Sequence, residues 1–197
     1  MENYGLIDFH FLANLKWLLG YVKGFSVRAH LDQTDRRLVK LLSQDGQVGI
    51  NRLAANIAVS VPTVRTRLRN LLDRNLVKIV GLLNLTERPE LISAVVGINA
   101  QGHGRARELA RRIADLPFVT SASVVTGRFD IIVDVVVAGD VADLYRITSE
   151  LIPGAGEPGE IVRTETFVVM ASCNKWVSLP QGCWSEDAPI PARKELS

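Results

Sequence analysis

The distance between successive apolar residues changes along this chain, and this change limits the possible folds more than any other feature of the sequence. From residue 31 to residue 73 the apolar residues recur every three or four positions in three short runs, and Asp45-Gly46 ends the first run. Such spacing gives each of three short helices one apolar face. The first part of the chain is therefore expected to be helical.

Polar residues that can cap helices precede two of these runs. Asp32 or Thr34 can cap the first helix, and Ser60 can cap the third, which we expect over residues 61–73. Three short helices with a tight turn between the last two predict a helix-turn-helix. The alternating run 76–80 predicts a strand after the third helix, and this strand would make the domain a winged one.

A second pattern, in which strand-like runs alternate with helical ones, begins at residue 93. We expect strands over 93–98, 119–125, 131–137 and 161–171 and helices over 102–116 and 141–152. The order β-α-β-β-α-β predicts a ferredoxin-like domain with an antiparallel four-stranded sheet. Because the strand runs are apolar on both faces, we expect the face away from the helices to contact another subunit. The predicted fold class is α+β, with an N-terminal winged helix-turn-helix and a C-terminal βαββαβ domain.

Charge is divided unevenly between these two parts. The chain of 197 residues has a formal net charge of +2, which alone would argue against a nucleic-acid binder. Residues 31–80, however, hold nine Lys and Arg against four Asp and Glu, whereas residues 81–171 hold eight against twelve. This division indicates a nucleic-acid-binding domain joined to a separate regulatory or assembly domain, and unevenly solvated charge is the plainer alternative.

The third predicted helix has a polar face that can enter the major groove of DNA. The centre of this face is formed by Pro62, Thr63, Thr66 and Asn70, and it is flanked by Arg65, Arg67 and Arg69. We expect bases to be read by Thr63, Arg65, Thr66 and Asn70, and phosphates to be contacted by Arg52, Ser60, Arg69 and Lys78. Arg67 is included among the DNA-binding residues, although an ion pair with Asp35 or Asp73 explains this arginine equally well.

The sequence lacks the residue patterns of an enzyme or a metal site. The histidines, His10, His30 and His103, are not at metal-ligand spacing and form no local Ser-His-Asp or Cys-His arrangement. Two cysteines, Cys173 and Cys183, are too few for a disulfide framework and suit a reducing cytoplasm. No apolar run reaches the about 18 residues that a membrane span needs. We therefore expect no catalytic residue, metal, cofactor or membrane association, and a cytoplasmic location.

The ordered motifs of the chain resemble the Lrp/AsnC (feast/famine) family of transcriptional regulators over about residues 31–175. These motifs are Leu31-Asp32-x-x-Asp35, Leu53-Ala54, Ser60-x-x-Thr63-Val64-x-x-Arg67-Leu68 with Leu71, Leu76-Val77, Gly127-x-Phe129-Asp130 and Thr164-x-Thr166-Phe167-Val168-Val169. Each motif is weak alone, but the set is specific in its order and spacing. Two glycines that are usual in the family are replaced here by Ala58 and Asn75.

The resemblance implies a DNA-binding winged helix-turn-helix joined to a ligand-sensing domain of the RAM type, with dimers formed through the sheets and often assembled into octamers. It also implies that a small effector, commonly an amino acid, binds near the hairpin where dimers meet. The corresponding residues here are Thr126, Gly127, Arg128, Phe129 and Asp130. Arg128 is expected to bind the carboxylate of the effector, and Asp130 or a backbone group its amino group.

Sirohaem decarboxylases resemble the same two-domain architecture and are the enzyme alternative. Those enzymes have histidines in the pocket of the sheet domain, whereas this hairpin and its flanking strands contain none. The third helix also keeps its arginine-rich face. Both observations favour a regulator over an enzyme.

Five segments are expected along the chain. They are an N-terminal extension with an amphipathic helix over 1–30, the winged helix-turn-helix over 31–80, a linker strand over 81–92, the effector-binding and oligomerisation domain over 93–172, and a C-terminal tail over 173–197. Half of the aromatic residues lie in the N-terminal extension. The family resemblance does not account for that extension.

Overall fold

The computed structural model describes residues 31–102 and 104–184, and the chain divides into two compact units between Val80 and Gly81. The amphipathic helix predicted within residues 1–30 lies outside the described residues. His103 and residues 185–197 also lie outside them.

The described part of the first unit contains three helices, α1 (Gln33–Gln44), α2 (Ile50–Ile57) and α3 (Val61–Asp73). Asp32, and not Thr34, caps α1, because its Oδ1 accepts a hydrogen bond of 2.8 Å from the Asp35 amide. Ser60 caps α3 in the same way, with its Oγ 3.3 Å from the Thr63 amide nitrogen. The core between the helices is formed by Leu38, Leu53, Ala54, Ile57, Val64 and Leu71. The predicted helix-turn-helix is therefore confirmed.

Two of the residues described in this unit have left-handed backbone conformations at the ends of helices. Ala58, which follows α2, has a φ of 55°, and Asn75, which follows α3, has a φ of 52°. These are the two positions at which the resemblance to Lrp/AsnC regulators implies a glycine. Asparagine tolerates this conformation well, whereas alanine pays a steric penalty between its Cβ and the backbone. The turn between α2 and α3 therefore holds some backbone strain at Ala58.

The strand predicted over 76–80 is not formed, so this prediction of a wing is wrong. The amides of Leu76 and Val77 instead donate to the Leu71 carbonyl, at 2.9 and 3.4 Å, and complete the end of α3. Their side chains pack against the helical core, which explains their apolar character. A strand also needs a hydrogen-bonding neighbour, and the described part of this unit offers none.

The second unit has the predicted β-α-β-β-α-β order, and its four-stranded sheet is antiparallel throughout. The strands are β2 (Leu91–Ala100), β3 (Val119–Val124), β4 (Ile131–Ala138) and β5 (Ile161–Val168), and they lie in the order β3-β4-β2-β5 across the sheet. The helices are α4 (Ala106–Ala114) and α5 (Val141–Arg146), and α5 continues into a π-helical turn (Ile147–Leu151) and a final turn (Ile152–Gly154). The helix predicted over 102–116 is thus shorter than expected, whereas the helical stretch predicted over 141–152 extends to Gly154 but is α-helical only in part. The Thr148 hydroxyl donates to the Leu144 carbonyl within this irregular stretch.

The core of this unit lies between the helices and one face of the sheet. Inward-facing residues of neighbouring strands alternate with outward-facing ones, as Val96 and Val133 on the inner face show. The outer face includes Val95 and its pairing partner on β5, Phe167. Phe167 is 46% exposed. Part of the outer face therefore presents apolar side chains to solvent in the single chain.

Another part of the outer face is covered by the segments on either side of the βαββαβ domain. A short strand β1 (Leu83–Asn84) pairs with β6 (Trp176–Val177) from the C-terminal side. A 3-10 turn (Gln181–Cys183) follows, and the Cys183 thiol lies 3.2 Å from the Val136 carbonyl oxygen on β4. Residues 81–92 and the described part of the C-terminal tail thus belong to one packed unit with the sheet.

Candidate nucleic-acid interface and hairpin site

The exposed face of α3 carries the small polar residues that the sequence predicted there. Thr63, Thr66 and Asn70 are exposed, and together with Pro62 and Arg67 they line an open depression of about 520 Å³. The Thr63, Thr66 and Asn70 side chains are hydrogen-bond donors and acceptors of a size that reaches base edges when a helix lies in the major groove. The structure therefore brings Thr63, Thr66 and Asn70 together on one surface, whereas Arg65, the fourth predicted base-reading residue, is exposed but does not line this depression.

The N-terminal end of α3 is fixed by its cap. Besides accepting from the Thr63 amide, the Ser60 hydroxyl shares a hydrogen bond of 2.8 Å with the Thr63 hydroxyl. Pro62 has no N–H and the Thr63 amide is already bonded to Ser60, so it is mainly the positive end of the helix dipole that favours an anion such as a phosphate here. Ser60 is thus placed where a phosphate contact was predicted, and its side chain also has a structural role.

Arg67 differs from the neighbouring arginines because its guanidinium is held by two carboxylates. Its Nη1 lies 2.5 Å from Asp32 Oδ2 and 2.8 Å from Asp35 Oδ1. Asp35 was one of the two partners considered from the sequence, whereas Asp32 was not. The hydrogen bond from the Asp35 amide and then that from Arg67 lower the pKa of Asp32. The hydrogen bonds from Arg67 to the Asp32 carboxylate and then to the Asp35 carboxylate raise the pKa of Arg67.

The other predicted basic contacts are open to solvent. Arg52 on α2, Arg65 and Arg69 on α3, and Lys78 after α3 are all exposed. None of these four forms an ion pair with any residue in the described part of the chain. Their charges are therefore available to an anionic partner.

The hairpin between β3 and β4 is locked onto the end of β2. Asp130 Oδ2 accepts a hydrogen bond of 2.9 Å from the Ala100 amide, and the Asp130 amide donates to the Ile98 carbonyl at 2.9 Å. The Asn99 side chain donates to the Arg128 carbonyl at 2.7 Å. Gly127 has a φ of 134°, a conformation that side chains with a Cβ rarely adopt. The carboxylate of Asp130 thus shapes the hairpin, a role in addition to the predicted ligand contact.

The Phe129 ring lies directly over Gly97 on the outer face of the sheet. A Cβ placed on Gly97 would be 2.7 Å from ring carbons of Phe129. The ring also makes an edge-to-face contact with Phe167, with 6.2 Å between the ring centroids. The Arg128 guanidinium lies 5.4 Å from the centroid of the same ring. Glycine at position 97 therefore creates the space that the hairpin aromatic residue occupies.

Charged residues surround this aromatic contact. Arg128 Nη2 lies 2.8 Å from Glu165 Oε2 on β5, and Arg163 Nη2 lies 3.3 Å from the same oxygen. The side chain of Arg128 is 64% exposed, whereas that of Glu165 is 27% exposed. The hairpin site thus combines cationic and anionic groups beside an aromatic surface.

Three residues of the hairpin site were not anticipated from the sequence, namely Gly97, Asn99 and Glu165. A glycine inside an otherwise β-branched strand indicates a close approach of another group, and this signal was available for Gly97. Glu165 and Asn99 carry no such signal, because their contacts depend on which residues of β5 and the hairpin lie beside β2.

Similarity to known proteins agrees with this two-unit architecture. Residues 31–72 match the AsnC-type helix-turn-helix domain, and residues 93–175 match the Lrp/AsnC ligand binding domain. The chain is also 34% identical over 104 residues to an uncharacterised HTH-type transcriptional regulator of Pyrococcus furiosus, a match that covers 52% of this chain and 70% of that protein. The chain belongs to the Lrp/AsnC family of DNA-binding transcriptional regulators.

Solved structures have the same fold as this Lrp/AsnC protein. The leucine response regulatory protein of Mycobacterium tuberculosis is 25% identical, with a TM-score of 0.60 over 72% of this chain and 94% of that chain. A feast or famine regulatory protein from M. tuberculosis, solved in complex with L-methionine, is 24% identical, with a TM-score of 0.58 over 82% of this chain and all of that chain.

The described residues contain neither a metal-binding cluster nor a membrane-spanning helix. Within residues 31–102 and 104–184, no cluster of three or more His, Cys, Asp or Glu side chains is arranged to hold a metal ion. In the same part of the chain, no helix is long and apolar enough to cross a membrane.

Proposed function

We propose that this Lrp/AsnC protein is a sequence-specific regulator that reads DNA bases with the exposed face of α3. The observation that carries this proposal is the joint exposure of Thr63, Thr66 and Asn70 on one helix face, beside arginines that form no ion pair with any described residue. Thr63, Thr66, Asn70 and Arg65 would contact base edges, because they lie on or next to the centre of that face. Arg52, Ser60, Arg69 and Lys78 would contact phosphates and set the position of the helix on the duplex.

The test is a gel shift with a duplex from upstream of the protein's own coding region. We expect Arg65→Ala with Arg69→Ala to abolish the shift while the assembly state, measured by light scattering, stays the same. The matched control is Arg105→Ala with Arg111→Ala, which removes the same charge from exposed positions in the other unit. Unchanged affinity in the α3 variant, or an equal loss in the control, would contradict the assignment.

We also infer that a small effector, an amino acid, binds at the hairpin formed by Thr126, Gly127, Arg128, Phe129 and Asp130. Support comes from the match of residues 93–175 to a ligand-binding domain and from the L-methionine complex of a protein with the same fold. The charges also suit a zwitterion, since the exposed Arg128 can bind a carboxylate while Glu165 or Asp130 binds an ammonium group. The Phe129 and Phe167 rings offer an apolar surface for the side chain of the effector.

Calorimetric titration with single amino acids, beginning with L-methionine, tests this inference. Arg128→Ala should weaken binding by removing the carboxylate partner, and Asp130→Ala should weaken it by releasing the hairpin from Ala100. The Arg105→Ala variant is the control, because its ion pair with Glu157 lies outside the hairpin site. If an amino acid binds with equal affinity to the wild type, Arg128→Ala, Asp130→Ala and Arg105→Ala, this hairpin is not the site.

An effector can change DNA affinity only if it binds two states of the protein with different affinities. We propose that these states are assembly states, because apolar side chains such as Val95 and Phe167 lie on the uncovered part of the sheet face. Burial of this face between two copies would also bring hairpin residues from both copies together. Sedimentation with and without the effector measures whether the assembly changes.

A further inference from the structure

We propose that Arg67 does not contact DNA but is a positioning residue, whose attachment to Asp32 and Asp35 fixes α3 against the start of α1. This inference rests on the proposed function, in which α3 reads bases. It changes the role of one residue that the sequence placed among the DNA contacts. It also predicts that Asp32 and Asp35 restrain the affinity of the protein for DNA of any sequence.

The geometry of the ion pair favours this role. A single Arg67 nitrogen, Nη1, lies within 2.8 Å of both carboxylates, and the three side chains are only partly exposed, at 32% for Arg67, 51% for Asp32 and 18% for Asp35. One guanidinium faces two carboxylates, so the cluster has a net negative charge. A phosphate that approached Arg67 would therefore meet two nearby negative charges as well.

Each carboxylate is held in place by a second interaction. Asp32 Oδ1 accepts from the Asp35 amide at 2.8 Å, and Asp35 Oδ2 accepts from the Asp32 amide at 3.4 Å, which together form the capping box of α1. The other oxygen of each residue, Asp32 Oδ2 and Asp35 Oδ1, accepts from Arg67. Neither carboxylate can turn toward solvent without losing a cap interaction, so both remain beside Arg67.

The position of Arg67 on α3 gives this attachment a functional consequence. Arg67 lies one turn from Thr63 and from Asn70, and all three line the same depression. An arginine anchored to α1 thus fixes the rotation of α3 about its axis and its position along that axis, and with them the place of the base-reading residues. Arg65 and Arg69, which are exposed and form no ion pair within the described residues, remain the arginines that can reach phosphates.

The salt dependence of DNA binding separates a phosphate contact from a positioning role. Each side chain that neutralises a phosphate contributes about 0.9 to the slope of log affinity against log salt concentration. We would measure this slope for the full chain on a fluorescent duplex from upstream of its own coding region and on a mixed-sequence duplex of equal length. Arg69→Gln should reduce the slope by about 0.9 on both duplexes.

Arg67→Gln should leave the slope unchanged and lower the preference for the upstream duplex, because α3 loses its anchor. Arg67→Lys should restore part of this preference, since a lysine keeps one charge beside the carboxylates. Asp32→Asn with Asp35→Asn keeps acceptors for the helix cap but frees Arg67. This double variant should increase the slope by about 0.9 and bind the mixed-sequence duplex more tightly. Adding Arg67→Gln to it should abolish the increase.

Two results of the DNA measurements would overturn the proposal: a slope reduction by Arg67→Gln equal to that by Arg69→Gln, or no change in slope in the double Asn variant. Urea unfolding of Arg67→Gln, Asp35→Asn and their combination tests the ion pair without DNA. We expect a combined shift in midpoint smaller than the sum of the single shifts, and additive shifts would contradict the anchoring role. If the wild-type protein bound neither duplex, the proposed function would fail, and this cycle would still decide whether Arg67 anchors α3.

Discussion

Replacing Gly97 by alanine tests whether the position of the Phe129 ring depends on this glycine. A Cβ at position 97 would lie 2.7 Å from ring carbons of Phe129, whereas carbon atoms in contact are normally about 3.5–4.0 Å apart. The ring would therefore have to move by about 1 Å. Such overpacking costs about 1–3 kcal/mol, and loss of the edge-to-face contact with Phe167 would add about 0.5–1.5 kcal/mol. We expect the sheet-domain unit to lose about 2–4 kcal/mol of stability.

Urea unfolding followed by tryptophan fluorescence measures this loss. Trp176 and Trp184 belong to the same unit as Gly97, so a Trp17→Phe background restricts the signal to that unit. Gly81→Ala is the control, because a Cβ at position 81 meets no described atom within 4 Å. The control should unfold within about 0.5 kcal/mol of the parent protein.

The decisive comparison places Gly97→Ala in a Phe129→Ala background. Without the ring, the new methyl group meets no aromatic carbon, and the alanine should cost nothing or stabilise slightly by restricting the unfolded chain. We therefore expect a coupling energy of at least about 1.5 kcal/mol between the two substitutions. An equal loss of stability in both backgrounds would refute the reasoning, because the cost would then come from the backbone of β2 and not from the ring. Calorimetry on Gly97→Ala should also show weaker effector binding, since Phe129 belongs to the hairpin site.

Three further predictions concern other parts of the molecule. Ala58→Gly should stabilise the helix-turn-helix unit by about 0.5–1 kcal/mol, because Ala58 has a φ of 55° and glycine removes the steric penalty; a lower urea midpoint would contradict this. Burial raises the pKa of the Cys183 thiol, so a thiol reagent at neutral pH should label the exposed Cys173 quickly and Cys183 only after unfolding; rapid labelling of both would show that the tail does not cover Cys183. The pKa of Asp32 lies below its ordinary value of 3.8, so its ionised form stabilises the fold above that pH, and this contribution is lost as the pH falls through the lower folded-state pKa. Below pH 3.8 the stability of Asp32→Asn should accordingly fall less steeply with decreasing pH than that of the parent protein. Identical acid-unfolding curves would contradict the assignment.

The helix-turn-helix could be predicted because its signals are local. Asp32 and Ser60 cap helices through hydrogen bonds to amides three residues away, and such contacts are fixed by the sequence itself. The strand predicted over 76–80 failed for the converse reason. The apolar run that begins with Leu76 and Val77 suits a strand, but a strand needs a hydrogen-bonding partner. Here the same side chains pack on the helices.

The hairpin site could be located from the sequence, but its internal contacts could not. The Gly-x-Phe-Asp motif indicated where the hairpin lies, whereas the contact between Arg128 and Glu165 joins residues 37 positions apart. That contact exists because Gly97 pairs with Glu165 in the sheet, which brings Glu165 beside the ring that covers Gly97. A shift of one residue in this register would turn Glu165 to the helix-covered face and remove the anionic group from the site. No local pattern in β5 determines that register.

Arg67 shows the same limit at the level of a single side chain. An arginine on the flank of a recognition helix has the same residue type and spacing whether it binds a phosphate or a carboxylate. The outcome is decided by Asp32 and Asp35, which lie 35 and 32 positions away and face Arg67 only after α1 and α3 have packed around Leu38 and Val64. Because these carboxylates also cap α1, the contact that anchors the recognition helix depends on correct formation of the first helix. The geometry of DNA reading is therefore coupled to the N-terminal turn of α1, a region with no predicted DNA contact.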